Sequence, residues 1–194
     1  MELERRESDW PVGLYGLLST STGCPESENH GWTTTFINLT YVGNNSSDGR
    51  QTWTNNLPLL GPYHYRTIQL NLCVRMEDEG GGGKIVEAGN VSRPTWPRGS
   101  YCLVKVVPGD CPTDFRYDAM TLANYAVTTT DRDAAILVDF SADTLSFSLG
   151  LCCRDDEDPN NAFHLPTSSA FLLLQVCPRY EHQCLDLLCL LIYG

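Results

Sequence analysis

The stretch TIQLNLCVRM, Thr67 to Met76, decides the fold class. Ile68, Leu70, Leu72, Val74 and Met76 are apolar while Thr67, Gln69, Asn71 and Arg75 are polar, a period of two that predicts a β-strand with one face on a core. Cys73 falls on the opposite face. TLSFSLGLCC, Thr144 to Cys153, repeats the pattern: Leu145, Phe147, Leu149 and Leu151 alternate with Thr144, Ser146, Ser148 and Cys152, and Gly150 marks a bulge or a close neighbour. Weaker strand signals fall on TTTFINLTYV from Thr33, YCLVKVV from Tyr101, AAILVDF from Ala134 and AFLLLQV from Ala170, each rich in β-branched or aromatic residues. Only HQCLDLLCLLIY, from His182, has helical spacing, through Leu185, Leu188, Cys189 and Ile192, and it predicts a short C-terminal helix. With 11 prolines and 16 glycines, short strands joined by turns fit better than strands alternating with crossover helices. The expectation is an all-β, jelly-roll-like antiparallel β-sandwich. It forms a single domain over 1–194, with its core at about 10–177 and a C-terminal extension at 178–194. The aperiodic span from Met76 to Pro94, with glycine from Gly80 to Gly83, reads as a mobile surface loop between two halves.

Each half opens alike. DWPVGLYGLLSTSTGCP starts at Asp9 and TWPRGSYCLVKVVPGDCP at Thr95, so Trp-Pro-x-Gly-x-Tyr is written twice and closes each time on Cys-Pro. Proline fixes its own φ and biases the residue before it away from helix, the indole is a packing anchor, and glycine permits a turn or close approach. Tyr15 or Tyr101 then begins a strand, and the cysteine pins the exit. The repeat reads as architecture used twice; the functional alternative is a pair of aromatic ligand platforms at Trp10 and Trp96.

Cys24, Cys73, Cys102, Cys111, Cys152, Cys153, Cys177, Cys184 and Cys189 contain no C-x-x-C pair, which favours disulfides over zinc and an oxidising compartment over the cytosol. The alternative is a small zinc site in the tail from Cys177, His182, Cys184 and Cys189. An odd number leaves at least one thiol over if all pairing is internal, and the adjacent Cys152 and Cys153, pointing to opposite faces of a strand, must reach different partners. The connectivity stays open. Sequons at Asn38, Asn44, Asn45 and Asn90 are glycosylation candidates in keeping with secretion. MELERRESDW is no signal peptide, so Met1 is read as the start of an excised domain. No apolar run is long enough to span a bilayer.

The net charge of −11, with only Lys84 and Lys105 beside the arginines, disfavours nucleic acid and anionic lipid as partners. Asp155, Asp156, Glu157 and Asp158 pack four carboxylates together; a solvated loop is favoured over calcium because the EF-hand spacing is missing. His30, His64, His164 and His182 are scattered, and neither a G-x-S-x-G elbow nor a phosphate loop is present. The reading is non-enzymatic, without cofactor.

WPRGSYCLVKVVPGDCPTDF, LSFSLGLCCRDDED and HLPTSSAFLLLQVC, in that order, resemble the apextrin C-terminal domain, and WPVGLYGL, GCP and Cys73 match its first half. The resemblance runs from about Trp10 to Cys177. Two features depart from the family pattern: the acidic run follows the vicinal cysteines here, and the tail with Cys184 and Cys189 is additional. The resemblance implies a secreted animal protein of the extracellular matrix or of innate defence, some relatives recognising peptidoglycan and muramyl peptides and some following a pore-forming domain elsewhere in a longer chain. Its partner would be bacterial cell-wall glycan, or else other extracellular proteins if the domain is a matrix or adhesion module. For such recognition, aromatic faces would stack on sugar rings and arginine would receive stem-peptide carboxylates. WTNNLPLLGPYHYR supplies Trp53, Tyr63, Tyr65 and Arg66 as candidates, with packing as the alternative role for each.

Overall fold

The computed structural model describes residues 10–11, 13–25, 31–43, 63–64, 66–77, 96–130, 138–143, 145–156, 171–175 and 189–193. Its strands are β1 (Gly13–Leu18), β2 (Trp32–Tyr41), β3 (Tyr63–His64), β4 (Thr67–Glu77), β5 (Ser100–Val104), β6 (Arg116–Ala123), β7 (Tyr125–Thr130), β8 (Phe140–Asp143), β9 (Ser146–Asp155), β10 (Phe171–Gln175) and β11 (Cys189–Tyr193). All pairings are antiparallel, as the sequence predicts. The strands join in one continuous sheet in the order β6-β9-β5-β10-β1-β4-β2-β7, with β11 on β10, β3 on β4 and β8 on β9. β6 and β7, at the two ends of that order, are consecutive in the chain and separated only by Asn124, whose φ is 62°. Asparagine tolerates this left-handed conformation better than most residues. One long strand therefore bends at Asn124 and passes from β9 to β2, and the sheet curls back on itself.

The inside of the curl holds one core cluster, including Ile37 and Leu39 of β2, Ile68, Leu72 and Val74 of β4, Phe147, Leu149 and Leu151 of β9, and Leu172 and Leu174 of β10. A second cluster lies on the outer face of β1, β4, β5, β9 and β10: Tyr15, Leu17, Cys73, Tyr101, Leu103, Cys152, Phe171 and Leu173, roofed by Trp10, Trp96 and Phe115. Cys73 does point away from the inner core, as its alternation requires, but the face it joins is buried as well. The Trp-Pro segments cover it, with Trp10 edge-on to Trp32, Trp96 and Phe171. Trp10 and Trp96 are both buried, so they are packing anchors and not ligand platforms.

The repeated sequence corresponds to a repeated structure. Tyr15 pairs with Arg75 as Tyr101 pairs with Arg154, and Leu17 pairs with Cys73 as Leu103 pairs with Cys152. On the other side, Thr34 faces Cys73 as Tyr117 faces Cys152. The Tyr15 hydroxyl donates to the Pro11 carbonyl at 2.7 Å and the Tyr101 hydroxyl to the Pro97 carbonyl at 2.5 Å, tying each tyrosine to the start of its own motif. Disulfides Cys24–Cys73 and Cys111–Cys152 then occupy matching places, and the second half adds Cys102–Cys153. The vicinal cysteines thus take different partners, as expected. Two copies of a β1-β4-β2 unit flank β10, which pairs with both β1 and β5. Tyr15→Phe should cost about 1 kcal/mol, the net worth of one buried hydrogen bond, and Tyr101→Phe more, because its hydroxyl also hydrogen-bonds Arg154; both are read as shifts in the urea midpoint.

The C-terminal helix is corrected over its last turn: Cys189–Tyr193 is strand β11, paired along β10 from Gln175↔Cys189 to Phe171↔Tyr193. Helical and strand periods are hard to tell apart in a short apolar run, and the hydrogen-bonding edge of β10 settles the matter. The span read as a mobile loop lies outside the described residues from 78 on, as do Cys177 and Cys184. Among the described residues no helix is long and apolar enough to cross a membrane.

Candidate functional site

The inward-facing rows of the curled sheet continue to one end, where the core meets solvent. Two residues beyond Leu39 stands Tyr41, two before Ile68 stands Arg66, two before Phe147 stands Leu145, and two beyond Leu122 stands Asn124. Tyr41 ends β2, whereas Arg66, Asn124 and Leu145 are exposed turn residues at the adjoining strand ends. The turns that carry them are stitched together by backbone hydrogen bonds: Tyr41 N–H to the Arg66 carbonyl at 2.7 Å, Asn124 N–H to the Leu145 carbonyl at 2.7 Å, and Val42 N–H to the Asn124 carbonyl at 2.8 Å. The first two bonds are equivalent under the internal repeat, because Arg66 and Leu145 each lie seven residues before their half's disulfide cysteine, Cys73 and Cys152. The third bond joins the halves.

This mouth is chemically mixed. Leu145 is 61% exposed and Val42 38%, each just outside a strand end. Between them the Tyr41 and Tyr125 rings meet edge to face at 5.5 Å, and burial pushes the Tyr125 phenol up. Gly43 lies against the Tyr41 ring, where a Cβ would clash with the hydroxyl. Arg66 is exposed and places a cation on the first half's side of the mouth. An aromatic pair flanked by a cation and an apolar residue can take a ligand that combines a ring, an alkyl group and a carboxylate.

Of the residues proposed from sequence, Arg66 is in this mouth. Tyr63 forms the short strand β3, paired with Ile68, and its side chain is outside the description. Trp53 and Tyr65 also lie outside the described residues. Asn38 sits half-buried in β2, its carbonyl accepting from the Thr128 hydroxyl at 3.3 Å; Asn44, Asn45 and Asn90 are outside the description. Sequence reasoning missed Tyr41, Tyr125 and Leu145, because each belongs to the site only through pairing of distant strands. Their one visible signal is an apolar or aromatic residue beside a turn.

The acidic run is put to structural use where it is described. Arg154, buried beneath Trp96 and Phe115, donates from Nε to Asp156 Oδ1 at 2.6 Å, from Nη2 to Asp156 Oδ2, and from Nη1 to the Trp96 carbonyl at 2.9 Å. Its guanidinium carbon lies 5.3 Å from the Phe115 ring centre. Asp156 also accepts from Gly99 N–H at 3.1 Å, and Asp155 accepts from the Ser100 hydroxyl at 3.0 Å. The forked bond from Arg154 is the main reason the Asp156 carboxyl is lowered to about 2. Both carboxylates thus lock the second Trp-Pro-x-Gly turn to β9. Glu157 and Asp158 lie outside the described residues, and among those described no group of three His, Cys, Asp or Glu side chains could hold a metal ion.

Fold and site together define an all-β, disulfide-linked domain with a solvent-facing mouth on one end of a duplicated scaffold. The chain matches the C-terminal domain of apextrin (ApeC) over residues 10–187 and belongs to that family. Comparison with curated proteins and with solved structures returns no match. The three disulfides and the apextrin-type domain are consistent with an extracellular protein.

Proposed function

We propose that this domain is a secreted, non-enzymatic recognition module that binds bacterial cell-wall glycan at the mouth formed by Tyr41, Val42, Arg66, Tyr125 and Leu145. The observation that carries the reading is the joining of equivalent turns from the two halves, which sets a cation and an exposed apolar side chain on either side of a tyrosine pair. A muramyl peptide has matching chemistry: a pyranose ring for the tyrosines, lactyl and alanyl methyls for Leu145 and Val42, and a carboxylate for Arg66. A rigid sheet carrying its binding groups on turns is a common plan for recognition domains.

Pull-down on insoluble peptidoglycan, competed by soluble muramyl dipeptide, tests this. Arg66→Ala should weaken capture about tenfold or more, the worth of one charge-assisted hydrogen bond, and Leu145→Ser should weaken it as well. Prolonged incubation should release no reducing ends. Capture that persists against excess competitor, or that ignores both substitutions, would instead support a matrix or adhesion module with protein partners.

A further inference from the structure

The internal repeat separates what the scaffold needs from what it does not. Lys105 lies four residues beyond Tyr101 as Ser19 lies four beyond Tyr15, and Gly150 lies two before Cys152 as Asn71 lies two before Cys73. The equivalence holds in hydrogen bonding: Ser19 N–H donates to the Asn71 carbonyl at 2.8 Å and Lys105 N–H to the Gly150 carbonyl at 2.9 Å. With Tyr117 matching Thr34, the first half uses Ser19, Asn71 and Thr34 where the second half has Lys105, Gly150 and Tyr117. The fold forms with small polar residues at these places, so the second half's lysine and tyrosine are not demanded by it.

These residues converge on the outer face of β5, β9 and β6. Asp139 Oδ2 lies 3.4 Å from Lys105 Nζ, and Lys105 Nζ lies 5.9 Å from the centre of the Tyr117 ring. Asp139 is seated by its own backbone, its N–H donating to the Lys105 carbonyl at 3.1 Å and its carbonyl accepting from Gly150 N–H at 2.7 Å. The absent side chain at Gly150 makes room, since a Cβ there would stand 2.8 Å from Asp139 Oδ2. Tyr117 is 60% exposed, on a strand whose neighbouring positions Ala119 and Thr121 are also exposed.

We propose that Tyr117, Lys105 and Asp139 form a binding site for an uncharged sugar ring. The carboxylate and ammonium compensate each other, so the site favours neither an anion nor a cation. What remains is an exposed aromatic plate beside a fixed acceptor and a fixed donor, which is the complement of a pyranose with one C–H face and adjacent hydroxyls. The site faces outward from the sheet, whereas the mouth lies at the end of its inner face. It is therefore a second sugar site, separate from the mouth. This shares with the proposed function the premise that the ligand is a glycan, but it is carried by different residues.

Titration calorimetry with the N-acetylglucosamine tetramer, which has no lactyl or peptide group, tests the site separately from the mouth. The tetramer should bind the unmodified domain, lose about tenfold or more in affinity in Tyr117→Ala and in Asp139→Asn, and keep its affinity in Tyr117→Phe. Muramyl dipeptide binding to the Tyr117→Ala variant should be unchanged. An unchanged thermal midpoint for each variant shows that the fold is kept. No tetramer binding to the unmodified domain, or equal binding to Tyr117→Ala, overturns this site; if muramyl dipeptide still binds through Arg66 in that case, the proposed function stands without it. Tetramer binding that depends on Tyr117 while muramyl dipeptide fails to bind would keep this site and remove the mouth.

Discussion

Replacing Cys24 and Cys73 together with alanine should lower stability by about 4 kcal/mol, the chain-entropy worth of a loop of this length. The bridge spans 49 residues and is the first half's counterpart of Cys111–Cys152. Removing Cys111–Cys152 alone should cost less, about 3 kcal/mol. Cys102–Cys153 encloses that loop and leaves only roughly a dozen residues for the second bridge to close. Against a total of about 5–15 kcal/mol for a domain, the first loss is large enough to leave a substantial unfolded fraction at body temperature. Guanidinium midpoints of the two double variants read the difference. Equal losses would mean that the denatured chain does not experience the bridges as nested loops.

Asp156→Ala is the second large effect, at about 3 kcal/mol. It removes the forked partner of Arg154, whose side chain is only 3% exposed, and leaves the buried guanidinium to the Trp96 carbonyl and the Tyr101 hydroxyl, neither of which carries a compensating charge. Arg154→Met should cost less, because the carboxylate it abandons is 40% exposed and can be hydrated. The same pair gives an acid signature. Asp156 is lowered to about 2 in the folded protein, chiefly by the Arg154 hydrogen bonds, so its contribution is fully present above the unfolded carboxyl value and is lost as pH falls from about 4 to about 2. Unfolding free energy measured across that window should fall more steeply in the unmodified domain than in Asp156→Ala. Parallel curves would show that the pair is not coupled to folding.

Much of this scaffold was legible in two alternating stretches and one repeated motif. Ile68 to Val74 and Phe147 to Leu151 alternate because each strand has one face on the inner core, and the adjacency of Cys152 and Cys153 required separate partners on opposite faces. The bend at Asn124 was not legible. β6 is exposed along most of its length, so its sequence RYDAMTLA lacks the apolar period that marks a buried strand. Without β6 and β7 the closure of the sheet, and with it the mouth, could not be foreseen. Arg66 was reachable as a cation beside aromatic residues, but Tyr41 and Leu145 lie 104 positions apart in sequence and come to the same end of the sheet only through strand pairing. The acidic run was read for its charge, whereas Asp156 is fixed by a buried arginine two residues before it.

Titrating muramyl dipeptide into the 15N-labelled domain and following amide shifts tests the recognition reading most directly. The account predicts shifts concentrated at Tyr41, Val42, Arg66, Asn124 and Leu145, lost in Arg66→Ala while the rest of the spectrum is retained. Shifts confined to other parts of the sheet, or a spectrum unmoved at saturating ligand, would contradict it.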